Sequence, residues 1–276
     1  MKKTVGIAGL GLIGASMALA LREKDYEVLG TDRDPEVIRK ALERGMIRKG
    51  STEPGAILPE ADIVILAMYP GAILDYALEH KNLFRPGQII TDVAGLKGRI
   101  VRRLQAELEP EFLGGHPMAG RETSGLESAR EELFLGTSYI LTPTEKNTPA
   151  ALSVLTELAR DLGAAQVRTM SPEAHDGLVA YTSHMPHLLA LALMDIWEEG
   201  SQDMAGGSFR DATRVARINE ALWGELFLEN KKELLPRLRR FQEVLRDYEA
   251  LLETGDREAL EERMRRAKGR KERIEP

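Results

Sequence analysis

The hydrophobic pattern changes character once along the chain. From residue 3 to about residue 170, short apolar runs alternate with amphipathic stretches of helical periodicity. The apolar runs are TVGIAG, YEVLGTD, ADIVILAM, QIITDV, EFLGG, TSYILTP and AAQVRTM, and helix-like segments cover 35–44, 97–108 and 148–162. Strands that alternate with helices are typical of a mostly parallel sheet covered by helices on both faces. We therefore predict an α/β domain over residues 1–170.

The segment after Met170 lacks β-type alternation and predicts an all-helical domain over residues 171–276. It opens with Ser171 as a cap and Pro172 at the first helical position, which is typical of a helix N-terminus. The run HLLALALMDIW at 187–197 is apolar around nearly the whole helix, more than a domain of about 100 residues covers by itself. We expect this run to be buried between two copies of the chain, which makes the helical domain the dimerisation domain of a homodimer.

Composition excludes several classes of protein. A chain of 276 residues, 43% hydrophobic and 30% charged, is long enough for two globular domains. Its formal net charge of −6 offers no positive field to hold nucleic acid. Without cysteine there are no disulfides and no thiolate metal ligands. No apolar run approaches the roughly 18 residues of a membrane span, so we expect a cytoplasmic protein with neither nucleic-acid nor membrane partners.

The segment GLGLIG carries Gly9, Gly11 and Gly14 in the spacing G-x-G-x-x-G, between an apolar strand and a helix-like stretch. In a dinucleotide-binding domain of Rossmann type, these glycines permit a tight turn, admit a pyrophosphate and let the helix pack on the strand. Leu12 and Ile13 lie at the helix N-terminus, whose dipole would face the phosphates. The α/β domain is therefore predicted to bind a dinucleotide; a glycine turn without a ligand is the alternative.

An acidic residue stands where such a fold binds the adenosine ribose. Asp32 ends the second predicted strand, 18 residues after Gly14. Its carboxylate would accept hydrogen bonds from the ribose and repel a 2′-phosphate, which favours NAD as the cofactor. The neighbouring Arg33 leaves NADP open, because a guanidinium tolerates that phosphate.

One histidine lies in an unusual setting, the segment GGHPMAGRETSG at 114–125. His116 follows the predicted strand EFLGG, whose end in a doubly wound fold opens toward the cofactor crevice. An imidazole with a pKa of about 6.5 serves as a base near neutral pH. A buried histidine that caps a turn explains the spacing equally well. His184 and His187 share a helix face, but there is no HExxH motif or third ligand nearby, so we expect no metal site.

The segment GGSFRDATRVAR predicts a helix capped by Ser208, with Asp211 in the capping-box position. Arg210, Arg214 and Arg217 would then lie on one helix face. Such a row suits a substrate with two carboxylates, because each guanidinium binds a carboxylate in a bidentate manner. Salt bridges between helices are the alternative, and we favour them for Arg217.

Taken together, these motifs closely resemble the prephenate dehydrogenase family, which includes arogenate dehydrogenases, over essentially the full length of the chain. The resemblance is carried by GLGLIG with Asp32, then by DVAGLKG, GGHPMAGRETSG, TSHMPHLLA, GGSFRDATRVA and LWGELFLEN in the same order and spacing. It implies oxidative decarboxylation of prephenate to 4-hydroxyphenylpyruvate, with hydride transfer to NAD, in tyrosine biosynthesis.

The resemblance also implies roles for individual residues. His116 would hydrogen-bond the ring hydroxyl and take its proton as hydride leaves the same carbon. Arg214 would bind a substrate carboxylate, and Arg210 stands where the family often has a lysine. The other implied pocket residues are Ser183, His184 and His187 on one helix, Glu122 at the pocket mouth, and Trp223, which the resemblance brings from the partner subunit.

One position departs from the family pattern. In DVAGLKG, Gly95 stands where the family commonly has a serine that helps orient the histidine and the ring hydroxyl. A water, a backbone N–H or another side chain must replace that hydroxyl. Three other functions stay open: an arogenate dehydrogenase, a dehydrogenase of β-hydroxy acids or a reductase of imines on the same two-domain plan, and a non-catalytic NAD-binding protein.

Overall fold

A parallel sheet forms the N-terminal half of the chain. In the computed structural model, which describes residues 3–121 and 123–274, six parallel strands pair in the order β3-β2-β1-β4-β5-β6. The strands are β1 (Thr4–Ala8), β2 (Glu27–Thr31), β3 (Lys49–Ser51), β4 (Ile63–Leu66), β5 (Ile89–Asp92) and β6 (Glu111–Phe112). This is the strand order of the Rossmann dinucleotide-binding fold, and it confirms the predicted α/β class.

Helices cover both faces of this sheet, as the alternating pattern predicts. They are α1 (Leu12–Arg22), α2 (Pro35–Glu43), α3 (Pro70–Glu79), α4 (Gly98–Glu107) and α5 (Pro149–Asp161). On one face, side chains of α1, α2 and α5, among them Met17, Ile38 and Leu155, pack in one apolar cluster. On the other face, Ile73 of α3 and Leu104 of α4 belong to a second cluster.

The run EFLGG does not form the single strand that the sequence predicts. Strand β6 ends at Phe112, and the chain re-enters extended structure as β7 (Gly114–Pro117). Strand β7 pairs antiparallel with β8 (Ser138–Thr142), which pairs parallel with β9 (Gln166–Thr169), so the described residues contain a second sheet of three strands. His116 therefore lies within a strand, opposite Ile140, and not in a turn after one.

The glycine pair before His116 permits close packing of strands. A Cβ on Gly115 would lie 2.8 Å from the Asp92 carbonyl oxygen at the end of β5 and 2.9 Å from the Tyr139 hydroxyl on β8. A Cβ on Gly114 would lie 2.8 Å from a methyl group of Val101 on α4. Only residues without side chains fit there, so the glycines let β7 bring His116 against the end of the parallel sheet.

The chain after β9 is helical in its described part, which confirms the second half of the predicted fold class. Ser171 accepts a hydrogen bond from the Ala174 amide at 3.1 Å, and Pro172 occupies the first helical position, as expected. The helices are α6 (Pro172–Val179), α7 (Met185–Asp195), α8 (Gly207–Thr213), α9 (Glu220–Glu229), α10 (Lys231–Thr254) and α11 (Arg257–Lys271). A π-helical turn, Ala180–His184, joins α6 to α7 without a break.

The apolar run at 187–197 is largely accessible in the single chain. Among the residues of α7, only Met185 and Ala190 are buried, and Ile196 just after it is 72% exposed. Such an apolar surface is typical of a contact face. No helix in the described part of the chain has the length and apolar character needed to cross a membrane.

The arginine segment folds differently from the prediction. Helix α8 begins after Gly206, which provides no side-chain cap, and Ser208 lies inside the helix, so the predicted capping box is wrong. The α-helix ends at Thr213 and continues as a 3₁₀ turn, Arg214–Ala216. Because this turn winds more tightly than an α-helix, the three arginines do not form a row along one α-helical face. Arg217 lies beyond the turn.

Candidate active site

The carboxyl edge of the parallel sheet carries the glycine loop. Gly9 has a φ of +95°, a left-handed conformation that glycine adopts without strain. A Cβ on Gly14 would overlap the Gly9 carbonyl oxygen, whereas nothing lies within 4 Å of the position that a Cβ on Gly11 would take. The turn and the strand–helix packing are thus tight at Gly9 and Gly14, and open space remains above Gly11 at the N-terminus of α1.

Asp32 is tied to this loop by backbone hydrogen bonds. Its Oδ2 accepts from the Leu10 amide at 2.8 Å, and its Oδ1 accepts from the Asp34 amide at 3.1 Å. Each carboxylate oxygen has a further lone pair for an additional donor. The first amides of α1, at Leu12 and Ile13, have no partners within their own helix and form an anion-binding end. Arg33 beside Asp32 is exposed. These residues fit a dinucleotide.

His116 is hydrogen-bonded to a residue of the helical half. Its Nδ1 lies 2.8 Å from Nε2 of His175 on α6. The other nitrogen of His175, Nδ1, lies 2.9 Å from Oδ1 of Asp176. His175 is 1% exposed, whereas His116 is partly buried. Three side chains, carboxylate, imidazole and imidazole, thus form one continuous chain of hydrogen bonds.

Backbone amides hold Asp176 in place. Its Oδ1 and Oδ2 accept from the amides of Lys97 and Gly98 at the start of α4, each at 2.8 Å. The Lys97 side chain turns inward, where its Nζ pairs with the Asp92 carboxylate and donates to the Gly115 carbonyl oxygen at 2.6 Å. The side chains of Lys97 and Asp92 are both 0% exposed. A buried ion pair therefore supports the strand that carries His116.

Burial lowers the pKa of His116 well below its ordinary value of 6.5. Loss of water around the imidazole is the main cause, and the positive charges of His175, Lys97 and His184, when present, add to it. The imidazole is consequently neutral at pH 7, the state that a general base requires.

Side chains of the π-helical turn, α7 and α9 form a second group that contains aromatic rings. His187 stacks on Trp223 of the same chain with ring centroids 3.6 Å apart. His184 is 1% exposed and contacts Trp223 edge-on at 5.9 Å, and burial lowers its pKa to about 4. Ser183 accepts through its backbone oxygen from Nδ1 of His187 at 2.8 Å. No partner subunit is needed to bring Trp223 to His187.

The arginine segment lies next to this group of side chains, because it packs on α7. The 3₁₀ turn of Arg214 packs on α7, and the positive charge of Arg214 helps to lower the pKa of His187, after the larger effect of burial. All three side chains, Arg210, Arg214 and Arg217, are exposed. Glu122, implied at the pocket mouth, lies outside the described residues. Within the described residues, no three His, Asp or Glu side chains are grouped to hold a metal ion.

Two residues beside His116 have no counterpart among the predicted site residues. The sequence places His175 and Asp176 on the first helix of the second half, but it does not indicate that this helix docks on α4. The signal that could have identified them is the adjacent pair His-Asp just after a helix cap. It combines a titratable imidazole with a carboxylate that accepts hydrogen bonds.

Comparisons with known proteins cover both halves of the chain. Residues 17–168 match the family "Prephenate dehydrogenase, nucleotide-binding domain", and residues 171–266 match "Prephenate dehydrogenase, dimerization domain". The chain is 35% identical over 263 residues to the prephenate dehydrogenase of Bacillus subtilis. This match covers 91% of this chain and 70% of that protein.

Solved structures of similar proteins match this chain over nearly its full length. The prephenate dehydrogenase of Aquifex aeolicus, solved with hydroxyphenyl propionate and NAD+, has a TM-score of 0.91 at 31% identity and covers 100% of this chain and 99% of its own. The arogenate dehydrogenase of Synechocystis has a TM-score of 0.87 at 30% identity, and the match covers 98% of this chain and 99% of that one. With both domains matched and the fold shared throughout, this chain is an oxidoreductase that belongs to the prephenate dehydrogenase family.

Proposed function

We propose that this protein catalyses the oxidative decarboxylation of prephenate to 4-hydroxyphenylpyruvate with NAD as the hydride acceptor. The observation that carries the proposal is the position of His116. Gly115, the residue before it, donates its amide to Asp92 Oδ1 at 3.2 Å, so His116 lies at the carboxyl end of β5, the edge that also carries the glycine loop. Ligands of open α/β sheets bind at this edge.

NAD fits the residues present. The open space above Gly11 would admit the pyrophosphate, the N-terminus of α1 would face its charge, and Asp32 would accept from the adenosine ribose. When bound, the nicotinamide ring supplies the hydride acceptor. The Asp32 carboxylate disfavours the 2′-phosphate of NADP. A related enzyme, that of Aquifex aeolicus, was solved with NAD+.

His116 would act as the general base. Its neutral imidazole accepts a hydrogen bond from the ring hydroxyl of prephenate and takes the proton as hydride leaves the same carbon. The ring carboxylate then departs as CO2, the electrons of the broken C–C bond complete the aromatic ring, and the ring oxygen takes back the proton that His116 had accepted. Aromatisation makes the reaction effectively irreversible.

Arg214 would bind a carboxylate of the substrate. Its turn packs on α7 next to His187, and a guanidinium binds a carboxylate through two parallel hydrogen bonds. Arg210, one helical turn earlier, would add positive charge at the entrance. Ser183, His184, His187 and Trp223 would line the pocket, and Glu122 would stand at its mouth.

The two domains would have different tasks. We place their boundary between residues 170 and 171, after β9 ends at Thr169 and before α6 begins at Pro172. The helical domain matches a dimerization domain and exposes much of α7, which supports a homodimer. A dimeric mass in light scattering is the expected result.

Arogenate is the second candidate substrate, because the similar Synechocystis structure is an arogenate dehydrogenase. The test is NADH or NADPH formation, followed at 340 nm, with prephenate and arogenate each offered with NAD and with NADP. We expect the highest kcat/KM for prephenate with NAD. A preference for arogenate would keep the chemistry and change the substrate, whereas no turnover of either would refute the proposal.

A further inference from the structure

We propose that His175 and Asp176 are positioning residues that hold His116 as the tautomer with its proton on Nδ1, and so leave Nε2 bare to accept the substrate proton. This inference rests on the proposed function for its kinetic consequence, but the tautomer itself is a property of the free protein. It also explains how His116 is oriented although Gly95 stands where the family commonly has the orienting serine: His175 takes over that task.

The direction of the hydrogen bonds follows from the chemistry of the three groups. An ionised carboxylate only accepts hydrogen bonds, so the proton between Asp176 Oδ1 and His175 Nδ1 belongs to the imidazole, at 2.9 Å. In the proposed arrangement this is the only proton on the His175 ring, so its Nε2 is bare. The contact of 2.8 Å between this atom and His116 Nδ1 requires that His116 donates, and the second nitrogen of His116, Nε2, is therefore the unprotonated one.

The surroundings make the arrangement rigid. Both oxygens of Asp176 are held by amides at the start of α4, and the Asp176 backbone oxygen accepts from Asn230 Nδ2 at 3.0 Å. The His175 ring is 1% exposed, so water does not compete for either of its nitrogens. An imidazole fixed at both nitrogens has a single orientation and a single tautomer.

The pair also links the base to the helical domain. His175 and Asp176 belong to α6, whereas His116 and the amides of Lys97 and Gly98 belong to the nucleotide-binding domain. Undocking of α6 from α4 would break the hydrogen bond of His116 and both bonds of Asp176 together. The base is thus set in its active tautomer only while α6 is docked.

The first experiment measures the tautomer directly in the wild-type protein. ¹⁵N NMR of histidine-labelled protein distinguishes protonated from bare ring nitrogens, and the His116→Asn variant identifies the signals of His116 by their loss. At pH 7.5 we expect a protonated Nδ1 and a bare Nε2. A protonated Nε2 on His116 overturns the proposal, and this result does not depend on whether prephenate is turned over.

The second experiment uses two isosteric variants of the same residue. In His175→Gln, the amide oxygen takes the place of Nε2 and still accepts from His116; in His175→Asn, the amide reaches only the Nδ1 position and still bonds Asp176. We expect the Gln variant to keep kcat within about 10-fold, and the Asn variant to lose 10²-fold or more in kcat with little change in KM. Loss of tautomer control in the serine-protease triad costs about 10⁴-fold in kcat.

The two variants control for each other. Each removes the same ring, so a purely structural role would lower the thermal stability and kcat of both to similar extents, and that result overturns the proposal. Rescue by Gln but not by Asn, with the ¹⁵N signals of His116 preserved in Gln alone, supports it. If wild-type protein turns over neither prephenate nor arogenate, the proposed function fails, and the NMR comparison of the two variants still decides the tautomer.

Discussion

Gly14 lies directly over the carbonyl oxygen of Gly9, so close that a Cβ on Gly14 would overlap that oxygen. The first turn of α1 and the end of β1 are therefore in backbone contact, with no space for a side chain. Gly11, between them in sequence, faces open space instead. One glycine of the loop is required by the fold of the protein, and the other is free for a ligand.

The variants Gly14→Ala and Gly11→Ala separate these two requirements. Gly14→Ala forces the helix away from the strand, and we expect it to lower the free energy of unfolding by about 1–3 kcal/mol, as overpacking usually does. Gly11→Ala leaves the apoprotein as stable as wild type, because its methyl group meets nothing, but it weakens NAD binding roughly 10-fold or more. Urea unfolding without cofactor and calorimetric titration with NAD measure the two effects. Unchanged NAD affinity in Gly11→Ala would show that the pyrophosphate does not pass over this residue.

The variant Gly95→Ser tests the departure from the family pattern. A Cβ at this position would lie 3.5 Å from Cδ2 of Leu226, an ordinary van der Waals contact, so the serine fits without movement of α9. We expect an unchanged melting temperature and a kcat/KM within about fivefold of wild type, the equivalent of about 1 kcal/mol, because His175 already orients His116. Complete loss of activity in a folded variant would mean that the backbone at Gly95 must approach the substrate.

The pH profile of kcat/KM tests the environment of His116. Its pKa is lowered, chiefly by burial and further by the charges of His175, Lys97 and His184, so the neutral base persists to lower pH than in a free histidine. Activity is then retained as the pH falls through 6.5 and is lost only below it. The acid limb of kcat/KM, which reports groups of the free enzyme, should have its midpoint below 6.5. A midpoint at or above 6.5 contradicts the partly buried, neutral imidazole.

The variant Lys97→Met tests the buried ion pair beneath His116. It leaves the Asp92 carboxylate buried without its cation and removes the donor to the Gly115 carbonyl oxygen, which we expect to cost about 3–5 kcal/mol of stability. The control is Arg102→Met on α4, the helix that begins directly after Lys97. There the guanidinium lies 3.8 Å from Glu173 and both side chains are exposed; such pairs contribute about 0–1 kcal/mol. Urea midpoints that shift equally in both variants would refute the special role of Lys97.

Local signals predicted the parts of the molecule that depend on short stretches of chain. The glycine loop, the cap at Ser171 and the alternation of strands and helices each rest on a few neighbouring residues, and the structure contains all three. The break between β6 and β7 escaped prediction because EFLGG is one continuous short run, whereas its division depends on β8, which captures Gly114–Pro117 in another sheet.

The partners of His116 escaped prediction for a related reason. His175 is 59 positions away in the chain, and its approach depends on the docking of α6 against the start of α4, which no periodicity encodes. The predicted row of arginines was wrong because the helix tightens to a 3₁₀ turn at Arg214, which rotates the residues that follow away from the expected face. Sequence indicates which residues can do chemistry, and the packing of helices decides which of them meet.

The most direct test of His116 as the base compares wild type with His116→Asn in prephenate-dependent NADH formation, with CO2 and 4-hydroxyphenylpyruvate quantified in the same reaction. We expect one CO2 and one 4-hydroxyphenylpyruvate for each NADH in wild type. In the variant we expect a kcat lower by about 10²–10⁴-fold, the usual cost of losing a general base, with NAD affinity unchanged. Equal rates in the two proteins, or NADH formed without CO2, would contradict the assignment of His116 as the base of an oxidative decarboxylation.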